Sequence, residues 1–187
     1  MPMLGIMASA ISGNLWAPTG AYDSISSVTL SAVTPSITFT GIPSTYTHLQ
    51  VRALMKSTTT GTSINDIWFQ LNGDTNSNYA THYLFGAGSG TPTSGAATTQ
   101  TKFFAANAAP YVGNTPFGVM VTDILDYGNI NKYKTARSLA GADLNGTGWI
   151  GLSSGLWMST AAVTSITILP GANSFDTNTQ ISLYGVK

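Results

Sequence analysis

HLQVRALMK, residues 48–56, sets the apolar Leu49, Val51, Ala53 and Met55 in alternation with the polar His48, Gln50, Arg52 and Lys56. A period of two puts the two sets on opposite faces of an extended chain, the pattern of a half-buried strand. DIWFQLN (66–72) repeats it with Ile67, Phe69 and Leu71. Similar segments are SISSVTLSAV (24–33), SITFTGI (36–42), YATHYLF (79–85), TKFFAA (101–106), FGVMVTDIL (117–125), KYKTARSLAG (132–141), VTSITIL (163–169) and QISLYGV (180–186). Turn residues punctuate them at Gly41-Ile42-Pro43, Asn72-Gly73-Asp74, Gly128-Asn129, Asn145-Gly146 and Pro170-Gly171. Short strands at regular spacing without interleaved helices predict an all-β fold, an antiparallel β-sandwich of jelly-roll type over residues 21–187.

Composition agrees. Of 187 residues 7% are charged, against about 25% in an average globular protein, and all seven acids are aspartate. Serine, threonine and asparagine therefore keep the surface wet, and all three are poor helix-interior residues. The absence of cysteine excludes disulfides, thiolate metal sites and cysteine nucleophiles. Zero formal net charge removes the basic footprint that nucleic-acid binding requires.

Residues 1–20 form a separate arm, extended or partly helical, whose apolar members are Met3, Leu4, Ile6, Met7, Ile11, Leu15 and Trp16. Gly5 and Gly13 interrupt it, no basic residue precedes it, and it falls short of the roughly 20 apolar residues of a membrane span. It is expected to pack on its own sandwich or on a neighbouring subunit. The stretch GAGSGTPTSGAATTQ (86–100) reads as a long exposed loop, a candidate contact.

Several motifs imitate chemistry. LNGDTNSNYATHY (71–83) spaces Asn72, Asp74, Asn76 and Asn78 like calcium ligands, but Ser77 replaces the turn glycine and Tyr83 the closing glutamate. A tight turn is the better account. GLSSG (151–155) matches a nucleophile elbow around Ser153, yet His48 and His82 both precede the serine, the reverse of the hydrolase order. GTGWIG (146–151) lacks the strand-then-helix setting of a dinucleotide loop. Asp123 and Asp126, three apart on one strand, would face opposite ways and so cannot pair as glycosidase carboxylates, and Asp126 is expected to cap the following YGNINKYK turn. No catalytic, metal or cofactor assignment follows. Lys132, Lys134 and Arg137 form a basic cluster, a solvated face or a docking contact to an acidic neighbour. Of Trp68, Trp149 and Trp157, core packing is the plain reading, and Trp68 is the exception because it faces away from Ile67, Phe69 and Leu71.

The segments LGIMASAISGNLW (4–16), YDSI (22–25), IPSTYTHLQVR (42–52), FQLNGDTNSNYATHYLFG (69–86), DILDYGNINKYKTARSLAG (123–141), GLWMSTAAVTSITILP (155–170) and SLYGVK (182–187) together resemble a family of small virion proteins of tailed bacteriophages. The resemblance implies a structural place in the particle, and the lack of glutamate and the order of the histidines argue against an enzyme. The expected function is capsid cement or decoration, with the arm docking on the major capsid protein, other virion proteins or adjacent copies, in a homotrimer that covers its own sheet edges. The alternative is a tail or head fibre domain that holds a host-surface glycan through the 86–100 loop and Trp68 or Tyr83. Neither reading involves nucleic acid, membrane or cofactor.

Overall fold

The computed structural model describes residues 20–60, 64–88, 90–114 and 116–187. The anchoring arm lies outside the described residues apart from Gly20. Twelve strands are found among them: β1 (Tyr22–Thr29), β2 (Ile37–Phe39), β3 (His48–Met55), β4 (Ile64–Leu71), β5 (Tyr79–Gly86), β6 (Thr93–Gln100), β7 (Phe103–Pro110), β8 (Gly118–Leu125), β9 (Lys134–Asp143), β10 (Gly148–Trp157), β11 (Ile166–Pro170) and β12 (Gln180–Val186). No helix forms among the described residues.

The strands make two antiparallel sheets, one of eight in the order β1-β12-β3-β8-β9-β10-β5-β6 and one of four in the order β2-β11-β4-β7. The core lies between them. Leu49, Val51 and Met55 of β3, Met120 and Ile124 of β8, and Ile181 and Leu183 of β12 meet Ile37, Ile67, Phe69, Ile166 and Ile168 of the smaller sheet. These are the apolar sets of the alternating segments, so each strand's period of two sets its facing.

Two strands escaped the pattern. The stretch expected as a loop at 86–100 is mostly β6, the edge strand beside β5. Its small residues carry no alternation signal, and Gly95 is small because a side chain there would collide with the Tyr83 ring. β10 was missed for a related reason: its inner face is Trp149, Gly151, Ser153, Gly155 and Trp157, while Ile150 and Leu152 point to solvent. A Cβ on Gly155 would lie 2.4 Å from the Phe103 ring, so glycine is what lets β7 cross so close.

Eight strands at about 4.8 Å spacing span about 34 Å, and four span about 14 Å. The larger sheet therefore overhangs the smaller. β5 and β10 run past the covered region, and the half-buried rings of Tyr83, Phe85 and Trp149 fill their inner face there.

Candidate functional site

The outer face of the larger sheet carries the least expected feature. Cross-strand register lines up Leu84 (β5), Leu152 (β10), Leu139 (β9) and Val121 (β8) in one row. The next outward row holds Ile150, Gly141, Val119 and Leu54. Ile150 is 65% exposed, Leu152 56%, Leu139 54% and Val119 51%. On these strands the expected polarity is inverted: β9 turns Ala136, Ser138, Ala140 and Ala142 inward and Leu139 outward. An apolar band open to solvent and contiguous across five strands is the mark of a contact surface.

A polar row borders the band: His82, Ser154, Arg137, Asp123 and Gln50 are successive cross-strand neighbours. Arg137 Nε donates to Asp123 at 3.0 Å, Gln50 Nε2 donates to the other oxygen at 2.7 Å, and Arg52 Nε donates to Gln50 Oε1 at 2.6 Å. The Arg52 guanidinium lies 4.7 Å from the Tyr22 ring centroid and 4.8 Å from that of Tyr184. Asp123 balances Arg137, while Arg52, the cross-strand neighbour of Val121, ends the first row with a positive charge held over two rings.

The motifs that imitated chemistry resolve into structure. Asp74 accepts the Asn76 backbone N–H at 2.9 Å, the Asn76 and Asn78 side-chain amides at 2.8 and 3.0 Å, and Trp157 Nε1–H at 2.8 Å. Burial pushes its carboxyl up, and these four hydrogen bonds outweigh that and bring the pKa down to about 2. The loop's own amides and an indole occupy the lone pairs a cation would need. Asn72 sits at a φ of 52° and Gly73 at 63°, the tight turn the sequence predicts. The Ser153 hydroxyl is buried and donates to the Ala105 carbonyl across the core, so GLSSG is the place where β10 passes beneath β7.

Asp126 corrects an expectation. It lies beyond the end of β8 in a turn at φ 47°, so it does not share a strand with Asp123. Its backbone N–H donates to His48 Nδ1 at 2.9 Å and its carboxylate pairs with Lys132, whose hydrogen bond holds the carboxyl below its ordinary range.

The expected basic cluster of Lys132, Lys134 and Arg137 is also corrected. Lys132 is tied to Asp126 and Arg137 to Asp123, while Lys134 is buried and faces inward. The Lys134 ammonium donates to the carbonyls of Asn129 (2.6 Å), Lys132 (2.9 Å) and Thr160 (3.1 Å), and burial lowers its pKa. Alternation along β9 sends 134 and 137 to opposite faces, so the three never formed one surface.

Trp68 and Tyr83, the candidate glycan contacts, are brought together through a residue the sequence reading did not single out. Phe104 packs edge-on against Trp68 at 5.6 Å and against Tyr83 at 5.3 Å. Tyr83 stacks on Phe85 at 5.7 Å, and Phe85 meets Trp149 at 4.4 Å. Five half-buried rings thus form a ladder along the overhang, with Lys102 Nζ 5.4 Å from the Trp68 ring centroid. Trp157, by contrast, is a core residue. Among the described residues no group of three or more His, Asp or Glu side chains could hold a metal ion. Compared with protein-family models and with curated proteins, the chain matches none.

Proposed function

We propose that the chain is a structural subunit of a bacteriophage particle, a cement protein that docks on the capsid shell and reinforces it by burying apolar surface. The observation that carries this reading is the apolar band Leu84–Leu152–Leu139–Val121 on the larger sheet. Strand order supports it. Setting aside the hairpins β5–β6 and β9–β10 leaves eight strands ordered β1-β12-β3-β8 and β2-β11-β4-β7. That interleaving of first with last strands supports a jelly-roll reading of the sandwich, an architecture used by viral shell proteins and lectins. Most of the band then belongs to the two added hairpins rather than to the jelly-roll body. Strands that widen a sheet and place leucines on its solvent side make sense as a contact surface and not as core.

The proposal includes a homotrimer on the particle surface, with the N-terminal arm (Met3, Leu4, Ile6, Met7, Ile11, Leu15, Trp16) as a second adhesive element toward the major capsid protein. Its test is decoration of particles stripped of the protein. Wild-type protein should rebind at saturating stoichiometry, and the double variant Leu139→Asp/Leu152→Asp should not, while both show the same light-scattering mass. Rebinding of the double variant at wild-type affinity rejects the band as docking surface, and a monomeric mass rejects the trimer.

The aromatic ladder favours a second reading, a fibre domain that stacks sugar rings of a host-surface glycan on Trp68 and Phe104. Binding of the isolated protein to host polysaccharide, lost in Trp68→Ala, would support it. Decoration of the shell without any such binding would count against it.

A further inference from the structure

An apolar band selects its partner by shape, and the charges around it select by chemistry. On the outer face of the larger sheet these are Arg137 and Asp123, which pair with each other, Asp143 at the end of β9, and Arg52. Arg52 is exposed, and no carboxylate pairs with it among the described residues. We infer that the shell surface received by the band is acidic and that Arg52 takes one of its carboxylates, an assignment that rests on the cement reading and gives its partner a chemistry.

The surroundings of Arg52 prepare it for an anion. Its Nε donates to Gln50 Oε1 at 2.6 Å, and Gln50 Nε2 donates to Asp123 at 2.7 Å, so the root of the guanidinium is held. The guanidinium lies 4.7 Å from the Tyr22 ring centroid and 4.8 Å from that of Tyr184. Neither Nη group has an acceptor among the described residues. An end-on pair of N–H donors, fixed in direction and resting on aromatic carbon, matches the two oxygens of a carboxylate. Asp123 is already committed, one oxygen to Gln50 and the other to Arg137. The chain Arg52–Gln50–Asp123–Arg137 therefore keeps one positive charge over. A shell surface that covered this corner without an acid would leave that charge uncompensated, which disfavours docking.

Register places the acid. The guanidinium leans toward Tyr184, the cross-strand neighbour of Gln50. From Val121, Tyr184 is two strands across and two residues along, about 12 Å at about 4.8 Å per strand and about 3.3 Å per residue. Asp143 stands at the opposite corner, four residues along β9 from Leu139, exposed, with one oxygen accepting the Asn145 N–H at 2.9 Å. Val121 and Val119 lie between the two corners. A partner turned end for end would bring its acid to Asp143, where like charges repel, so the two corners orient whatever docks.

The test extends the decoration assay. Stripped particles are offered wild-type protein, Arg52→Gln and Leu139→Asp/Leu152→Asp, with melting temperature and light-scattering mass measured for each. Arg52→Gln should rebind at least about tenfold more weakly than wild type, with a weaker dependence on salt. Particles saturated with Arg52→Lys are then treated with a water-soluble carbodiimide, which joins an amine to an adjacent carboxylate as an amide while the reagent takes up the water lost. Peptide mapping should find residue 52 coupled to an aspartate or glutamate of a shell protein. A smaller loss for Arg52→Gln, or residue 52 coupled only to a second copy of this chain or to nothing, would overturn the inference. If Leu139→Asp/Leu152→Asp still fails to rebind in that case, the band stands as the docking surface without the acid. If it too rebinds like wild type, the band falls as well, and wild-type protein that does not rebind rejects the cement reading and this inference with it.

Discussion

Asp74→Asn should destabilise the protein by about 2 kcal/mol at neutral pH, with a loss that shrinks in acid. The aspartate accepts two hydrogen bonds on each carboxylate oxygen. Whichever way the asparagine amide is turned, its –NH₂ faces two donors, so at least one pair of hydrogen bonds is lost. A net contribution of about 1.5–3 kcal/mol for bonds to a charged group sets the scale. Linkage gives a second measure: a fall from 3.8 to about 2 corresponds to about 2.4 kcal/mol at about 1.36 kcal/mol per unit. Because the carboxylate is only partly buried, solvent screening reduces that to about 1–1.5 kcal/mol. Since the folded pKa is depressed, this contribution is full above the unfolded value near 3.8 and is lost as pH falls through about 2. Urea unfolding followed by tryptophan fluorescence at pH 7, 4, 3 and 2 reads both effects, since Trp157 contacts the substituted group. The neutral-pH melting temperature should drop by about 4–8 °C. The gap between wild type and variant should narrow by about 1–1.5 kcal/mol between pH 7 and pH 2. A gap below about 0.5 kcal/mol at pH 7, within the range of inert surface changes, or one that is the same at both ends, would refute the account of the 71–79 turn.

Three further substitutions probe the packing. Gly155→Ala puts a methyl group against the Phe103 ring and should cost about 1–3 kcal/mol in denaturant unfolding; a neutral result would mean that β7 does not cross β10 so closely. Lys134→Met keeps the stem but strips three carbonyls of their donor, with an expected loss of about 2–4 kcal/mol and faster hydrogen exchange in the 129–134 turn. Unchanged exchange would contradict it. Ser153→Ala removes one buried hydrogen bond to Ala105 and should cost about 1 kcal/mol, without altering particle binding; lost binding with unchanged stability would give Ser153 a role beyond packing.

The fold class was legible because β3, β4, β8 and β12 carry their apolar residues on the inner face at a period of two. What hid β10 was an inverted polarity: small residues inside, where β7 presses close, and Ile150 and Leu152 outside. The same inversion on β9 leaves Leu139 on the solvent side and buries Lys134, which the sequence reading places in a basic cluster. Leucines facing solvent on strands whose other face is glycine, alanine and serine are a readable signal once the strand's direction is known, but periodicity alone does not say which face is in. Trp68 and Tyr83 were individually visible. Their meeting on Phe104 depends on how far the larger sheet overhangs the smaller, which is a property of strand order and absent from any local window.

The central claim is that this is a shell-cementing subunit, and its most direct test is the number and position of copies in intact particles. Quantitative mass spectrometry combined with cryo-electron microscopy should find copies comparable with the major capsid protein, spread over the shell, with Leu84, Leu152, Leu139 and Val121 turned toward the contact. A few copies confined to the tail or to one vertex, or a larger sheet facing open solvent, would contradict it.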